Sequence, residues 1–504
     1  MNPLLASRLV VGISLVLSIA LVPAHSATPP KAGSDCTKQG VTKTYKGKTF
    51  KCKKVKGKLV WNKGKVAKQA APVASPSAGI STTASPIPTS SPKPTQSTVS
   101  FVQSPAVADA AKCKLLDARI EKTQPNNSGF PIIPEPMNYR LIPNAGIAEF
   151  VMIPVDFEDA PGSSEELERI KNQIEAFIDW FKFSSNGKLE VKFQIADRWF
   201  RASQRSDEYE VRFGKYVAGG KISPNSSGIM QEFIDLTGKT YDFSKVHGVF
   251  AHFPLTQKTS IEEALLGRDN VLRTPQGDKM LFYWADGNFI YTMFRSYGKD
   301  LPNFWAQTWV HEVLHSMGIS LHAPGNGLSL GVGQNNFGYS WSLNGWETFK
   351  LEWWKDSQVY CLPIEQVTEN NVVLSPVESM SESYKLIIIP KSETKALIVE
   401  SRRATGFSSA WPKDFYGLLV YELDTTLDND RSQECCGDSG FDKRFQKWSY
   451  PLTPDQRPFS ASLNNNLDQV NNFLVRVGET VSWEGIKVTY LEKGSADYIK
   501  ITRA

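Results

Sequence analysis

A long stretch that cannot bury a core divides this chain into separate parts. The chain has 504 residues, which is too long for one domain. Residues 69–110 are dominated by proline, serine, threonine and alanine. Segments of this composition behave as extended spacers. We therefore expect a linker at 69–110, a small unit at 27–68 before it, and two larger domains after it, at 111–360 and 361–504.

The first 26 residues have the layout of an export signal. Arg8 supplies a positive charge, Leu9 to Val22 form an apolar run, and small residues follow up to Ser26. This run is short for a helix that spans a membrane. We expect cleavage after Ser26 and a secreted mature chain, either free or associated with the cell surface, that is monomeric and has no transmembrane segment.

The cysteines would then lie in an oxidising compartment, where pairing is the rule. There are six, at positions 36, 52, 113, 361, 435 and 436. We expect Cys36 and Cys52 to close a small loop within the first unit. The other four allow three connectivities, so Cys113 could pair with Cys361 or with either of the adjacent cysteines.

Positive charge is concentrated in the small unit. The whole chain has a net charge of only +5, yet residues 35–68 contain twelve lysines and a single acid, Asp35. The rest of the chain is therefore mildly acidic, which excludes a uniformly basic nucleic-acid binder. The lysines suggest docking on a polyanion such as an anionic cell envelope. The alternative is a lysine-rich face that only improves solubility.

The pattern of apolar residues after the linker predicts an α+β fold. Residues 147–157 read as a buried strand, and Ser163 and Glu166 form a capping box that starts an amphipathic helix. Beyond residue 361 the apolar runs are short and strand-like, which predicts a β-rich domain, most simply a sandwich. Strands are expected at 189–195, 249–253, 280–284, 372–374, 384–389, 396–399, 418–423, 473–477 and 486–491.

One segment carries most of the chemical information. His311 and His315 are four residues apart, so on a helix they project from one face and can share a metal ion. The segment is predicted to be helical because its apolar residues recur at helical spacing and Gly318 can end it. These apolar residues are Ala306, Trp309, Val310, Val313, Leu314 and Met317.

This arrangement suits hydrolysis assisted by one catalytic zinc ion. Two imidazoles hold Zn²⁺ and leave room for a third protein ligand and a water. The ion lowers the pKa of that water towards about 7. Glu312, next to the first ligand, can act as the general base and later protonate the leaving amine. A chance occurrence of this five-residue pattern is expected in roughly one of a few hundred such chains.

Two residues are candidates for the third ligand. His322 is the nearer one, and a turn after Gly318 could bring it to the metal. Glu347 lies on a later predicted helix and is the competing candidate, unless it is simply a solvent-facing carboxylate. We favour His322. In the extended motif H-E-x-x-H-x-x-G-x-x-H the last ligand would fall at Leu321, so His322 is one residue late.

Several segments in order resemble the secreted metallopeptidases of the immune inhibitor A family, over roughly residues 147–430. Besides the zinc motif, the similar segments are Ile153 to Asp159, Phe183 to Leu189, Trp346 to Trp354, Ile398 to Arg402 and Tyr416 to Tyr421. The resemblance implies a zincin fold with a twisted sheet over the active-site helix. It also implies extracellular proteolysis, with His311 and His315 as ligands and Glu312 as the base. No methionine stands between Met317 and Met380, so a Met-turn is absent or replaced.

Three functions follow from this sequence. The first is a secreted zinc endopeptidase that acts on proteins or peptides. The second is an inactive surface-binding protein on a zincin scaffold, and the third is a zinc amidase that acts on cell-wall peptides.

An acidic loop could also bind structural Ca²⁺, although its spacing matches no EF-hand and a solvated loop is the simpler interpretation. Its acids are Asp424, Asp428, Asp430 and Asp438.

Overall fold

The computed structural model describes most of the chain from residue 33 onward. Its contacts divide the chain into two units, Met1–Ser97 and Thr98–Ala504. The expected export signal, residues 69–100 of the expected linker, His322, Cys435 and Cys436 lie outside the described residues. The described residues are 33–66 with short gaps, 101–116, 142–211, 226–261, 264–296, 299, 303–317, 343–409, 412–426, 449–457 and 472–504.

The first unit is a small sheet closed by a disulfide. Its strands are β1 (Thr42–Tyr45), β2 (Lys48–Val55), β3 (Lys58–Trp61) and β4 (Lys65–Val66). β2 pairs antiparallel with the other three strands. The predicted Cys36–Cys52 disulfide is confirmed. Among the side chains of this unit that the structure describes, the buried ones are Phe50, Cys52 and Trp61. A core of this size needs a crosslink to stabilise it.

The second unit begins with a mixed sheet in the order β11-β12-β9-β5-β6. β6, β5, β9 and β12 run parallel, and only the edge strand β11 is antiparallel to its neighbour. β7 pairs with β5, and β8 pairs with β10. These strands are β5 (Gly146–Asp156), β6 (Leu189–Ile195), β7 (Phe200–Arg201), β8 (Glu210–Val211), β9 (Val246–His252), β10 (Ser260–Ile261), β11 (Ala264–Thr274) and β12 (Gly277–Asp286).

Several helices pack on this sheet. The predicted capping box of α1 is confirmed, because Ser163 Oγ accepts a hydrogen bond from Glu166 N at 3.1 Å and Glu166 Oε2 accepts one from Ser163 N at 3.3 Å. No helix in the described part of the chain is long and apolar enough to cross a membrane. The α-helices are α1 (Ser164–Ser184), α2 (Ser226–Thr237), α3 (Asn288–Ser296), α4 (Phe304–Ser316) and α5 (Gly345–Lys350).

The chain beyond α5 forms two further sheets, so the expected α+β class is confirmed. One has the order β13-β15-β16-β17-β18 with β19 beside β17, and the other has the order β14-β22-β21-β20. Apolar residues from both sheets share one buried cluster, including Val399, Val420, Val488 and Ile499. The strands are β13 (Val359–Cys361), β14 (Glu369–Leu374), β15 (Leu386–Pro390), β16 (Lys395–Arg403), β17 (Tyr416–Asp424), β18 (Ser449–Pro451), β19 (Leu474–Val475), β20 (Thr480–Trp483), β21 (Ile486–Lys493) and β22 (Asp497–Arg503).

Residues 101–116 attach the start of the second unit to these strands. The Phe101 ring packs edge-on against Tyr498, with centroids 4.8 Å apart. Ala108 bridges to Cys361, and a disulfide joins Cys113 to Cys361. This pairing resolves the open connectivity of Cys113. Because 101–110 contact the β strands, the last part of the expected linker 69–110 is packed against the folded unit.

Candidate functional site

The motif helix α4 lies at the centre of its unit. All six residues of the predicted apolar stripe are at most 2% exposed, including Trp309 and Met317. The helix packs against α1 and β12, and its last turn is closed by Met317 N donating to Val313 O at 2.8 Å. A helix buried on nearly every side is held rigidly by its neighbours.

His311 and Glu312 are adjacent on this helix, and their side chains come close together. Among the described side chains of α4, only Glu312 is not fully buried. His311 is 6% exposed, and its Nε2 lies 3.9 Å from Oε1 of Glu312. The imidazole and the carboxylate therefore border the same small volume. An imidazole and a carboxylate this close together can act on the same bound group.

The other two predicted histidine ligands are described incompletely or not at all. His315 belongs to α4, one turn after His311, which places the two residues on one face of the helix. The His315 side chain and the whole of His322 lie outside the described residues. The described side chains thus include only one of the three predicted histidine ligands. Among the described residues, no group of three or more His, Cys, Asp or Glu side chains is arranged so that it could hold a metal ion.

Glu347, the competing third ligand, is not a solvent-facing carboxylate. It lies in the first turn of α5 and is 4% exposed. Asn344 caps this helix, with its Oδ1 accepting a hydrogen bond from Glu347 N at 2.8 Å. Burying a carboxylate is costly unless it meets a donor, a cation or a metal. The burial of Glu347 therefore favours a specific role for this side chain.

Two residues of the β-rich region hold the start of α5. Oε2 of Glu400 accepts hydrogen bonds from Gly345 N at 2.5 Å and from the Tyr421 hydroxyl at 3.2 Å. The same hydroxyl accepts one from Trp346 N at 3.3 Å. Burial raises the pKa of Tyr421, and the charges of Glu400 and Glu347 raise it further. Tyr421 thus stays a neutral hydroxyl that can both donate and accept.

A buried arginine pairs with two acids of this network. Arg402 lies 2.9 Å from Glu400 and 2.9 Å from Glu378, and all three side chains are fully buried. Arg402 Nη1 also donates to Leu343 O at 3.3 Å, just before α5 begins. Burial raises the pKa of Glu400, whereas the charge of Arg402 and the hydrogen bond from Gly345 lower it. Such a network is stable only if its members remain paired.

A second buried acid, Asp286, supports α4 from the side of the sheet. Its Oδ2 accepts a hydrogen bond from Trp309 Nε1 at 3.2 Å, and its Oδ1 accepts one from Trp284 Nε1 at 3.0 Å. His252 lies 3.9 Å from the same carboxylate, against the rings of Trp305 and Trp309. Burial lowers the pKa of His252, so this ring stays neutral near pH 7. The cluster fixes Trp309, two residues before His311.

These supporting residues cannot be recognised as part of a site from the sequence. Glu400 and Arg402 lie in one of the segments that carry the family resemblance, and no motif surrounds Asp286. One signal is present, because Glu400 and Arg402 are charges at alternate positions directly after the apolar run Ala396 to Val399 of the same strand. Charges that point into a core at this spacing indicate a buried network.

The expected calcium loop is described only at its start. Asp424 Oδ1 accepts hydrogen bonds from the backbone N–H and the hydroxyl of Thr426, at 3.0 and 2.6 Å. Asp428, Asp430 and Asp438 lie outside the described residues.

No protein-family model matches this chain, and a search of curated proteins finds no match.

Proposed function

We propose that this chain is a secreted zinc-dependent endopeptidase with Glu312 as its general base. The observation that carries the proposal is the placement of His311 and Glu312, 3.9 Å apart on a buried helix, with His315 one turn later. Under this proposal the mixed sheet and α4 form a zincin-like catalytic domain. The two sheets beyond residue 361 form a β sandwich, and the chain is related to the immune inhibitor A family.

The chemistry of the proposed ligands suits a zinc site. Imidazole and carboxylate groups are the donors that catalytic Zn²⁺ takes, with three protein ligands and one open position. His311 and His315 would supply two ligands. His322 is the third ligand that the sequence favours, and the burial of Glu347 supports the alternative. Bound Zn²⁺ supplies Lewis acidity and brings the pKa of water close to about 7.

The chain's own groups then perform the proton transfers. Glu312 accepts the proton of the attacking water and donates it to the amine as the peptide bond breaks. Its partial exposure at 13% lets it meet a substrate, whereas the buried His311 beside it keeps its place. The packing of α4 keeps both groups oriented, which lowers the entropic cost of reaching the reactive geometry.

The test is metal content and proteolysis of the mature chain, compared with Glu312→Ala. We expect about one zinc per chain in both proteins, cleavage of casein by the native chain, and a loss of about 10²–10⁴-fold in Glu312→Ala. Glu365→Ala, which removes an exposed glutamate outside the site, is the matched control and should cleave normally. Equal inactivity of all three with zinc bound would favour the surface-binding protein. Release of cell-wall peptides without cleavage of casein would favour the amidase.

The same measurement identifies the third ligand. Removing a true ligand should reduce zinc content or raise the dissociation rate of zinc into a chelator, because one of three protein bonds is lost. His322→Ala and Glu347→Gln are compared at matched pH. Whichever substitution leaves zinc retention unchanged excludes its residue as a ligand.

A further inference from the structure

The β2–β3 hairpin of the small unit has three lysines on the face away from its core, whereas Lys54 lies on the core side, opposite Leu59. Lys51 and Lys53 flank Cys52, which is 1% exposed, and alternate side chains of a strand point to opposite faces. Cys52 is paired with Trp61 on the covered face. On the other face Lys53 stands opposite Val60, and Val55 stands opposite Lys58. The outward face therefore carries Lys51, Lys53 and Lys58, and we name it the lysine face.

These lysines lack the partners that lysines have elsewhere in the chain. Within the described residues no carboxylate forms an ion pair with Lys51, Lys53, Lys54, Lys58 or Lys63, all of which are exposed. In the second unit ion pairs are common. Lysines paired with an acid there are Lys171, Lys192, Lys355, Lys391, Lys395 and Lys500. A lysine-rich face that only improves solubility does not need to exclude acids, whereas a polyanion-binding face does.

We propose that the lysine face is a docking surface for a flexible polymer that carries a phosphodiester in each repeat, of the kind that coats cell envelopes. Each ammonium group is a compact charge with three donors and requires no particular orientation of the phosphate. The disulfide Cys36–Cys52 and the strand pairing fix the hairpin backbone, which lowers the entropic cost of lining up the charges. This function is independent of the proposed peptidase.

Two other polyanions fit this face less well. Binding of single-stranded nucleic acid needs exposed aromatic rings for stacking, but the two aromatic side chains that the structure describes in this unit, Phe50 and Trp61, are only 8% and 7% exposed. Residues 35–68 contain no arginine, the residue that most often reads guanine. A lipid surface favours proteins that insert large apolar side chains, and Val55 is the only strongly exposed one on the described hairpin.

The test is binding of the full mature chain to poly(glycerol phosphate) at increasing salt. The native chain should bind at low salt and be released as salt rises, because binding displaces counterions from the polymer. The triple variant Lys51→Gln/Lys53→Gln/Lys58→Gln should bind about tenfold more weakly and with a shallower salt dependence. The matched control Lys239→Gln/Lys413→Gln/Lys487→Gln removes three exposed lysines of the second unit and should bind as the native chain does.

Several results would overturn the proposal. The first is that the native chain and the lysine-face variant bind the polymer equally well. The second is that the control variant loses as much binding as the lysine-face variant does. The third is that the native chain binds double-stranded DNA or phosphatidylglycerol vesicles as tightly as it binds the polymer. A non-reducing mass measurement must show the Cys36–Cys52 disulfide intact in the variant, so that lost binding reports lost charge. Casein cleavage should be the same in both triple variants, which separates this proposal from the peptidase.

Discussion

The Tyr421 hydroxyl donates a hydrogen bond to Glu400 at 3.2 Å and accepts one from Trp346 N at 3.3 Å. Two strands of the β-rich region, β16 and β17, are thus joined to the first turn of α5. Glu347 follows Trp346 directly, so its position depends on this hydroxyl. The strands beyond residue 361 therefore support the candidate site as well as forming their own core.

Tyr421→Phe should weaken this support without changing the volume of the ring. It leaves Trp346 N without its acceptor, and we expect a loss of about 1–3 kcal/mol in the free energy of unfolding. If Glu347 binds zinc, the variant should also release zinc to a chelator faster at a temperature where both proteins are folded. Tyr384→Phe, outside this network, is the control. Unchanged stability and unchanged zinc release would show that the hydroxyl supports nothing.

Two tryptophans that donate to Asp286 offer a matched pair of substitutions. Trp309→Phe and Trp284→Phe each remove one indole donor from the same buried carboxylate. Each should cost about 2 kcal/mol in stability. Only Trp309 lies on α4, so only Trp309→Phe should also lower kcat, through displacement of His311 and Glu312. Equal kcat in the two variants would mean that Asp286 stabilises the fold and does not position α4.

Lys385 should make stability rise with pH in the alkaline range. Burial lowers the pKa of this side chain to about 8, although Glu378 and Glu382 act to raise it. In the unfolded chain the pKa of this lysine returns to its ordinary value of 10.5, so between about pH 8 and pH 10.5 the unfolded state binds more protons. The free energy of unfolding should therefore increase over this range by up to about 3 kcal/mol.

Lys385→Met tests this assignment. Urea unfolding of both proteins is followed from pH 7 to pH 10, because the difference between them isolates the contribution of Lys385 from that of the tyrosines. The stability of the native chain should rise relative to that of the variant as the pH increases. Parallel curves would exclude a lowered pKa at this residue.

The Cys113–Cys361 disulfide closes a loop with a sequence separation of 248 residues. By the loop-entropy argument, removing it with Cys113→Ala/Cys361→Ala should lower stability by about 5 kcal/mol. Cys36→Ala/Cys52→Ala, which opens a loop in the other unit, should leave the main unfolding transition of Thr98–Ala504 unchanged. Scanning calorimetry distinguishes these outcomes. A main transition that moves equally in both variants would contradict this assignment of the two disulfides.

Local signals in the sequence predicted the elements that depend on local chemistry. The start of α1 followed from the Ser163–Glu166 spacing, and α4 followed from apolar residues at helical intervals. The Cys36–Cys52 pair was predictable because a small core needs a crosslink. The strand β22 was not predicted, because its inward-facing positions begin with a charged residue, Asp497, which is fully buried, and contain only two apolar residues, Ile499 and Ile501. Its packing depends on partners that lie far away in the chain.

The supporting residues of the site were not predictable for the same reason. Glu400 reaches Gly345 and Tyr421, which are 55 and 21 residues away, so no short window contains the network. The partner of Cys113 also depended on which distant cysteine the fold brings close. The burial of Glu347 belongs to this group, because a six-residue helix has no periodicity that tells its inner face from its outer one.

The disulfide between Cys113 and Cys361 has a consequence for a chain proposed to cut proteins. A single backbone nick anywhere between these two cysteines leaves the fragments covalently attached to each other. An enzyme damaged by autolysis in this interval would therefore keep its amino-terminal lysines and its carboxyl-terminal strands in one particle until a reductant separates them.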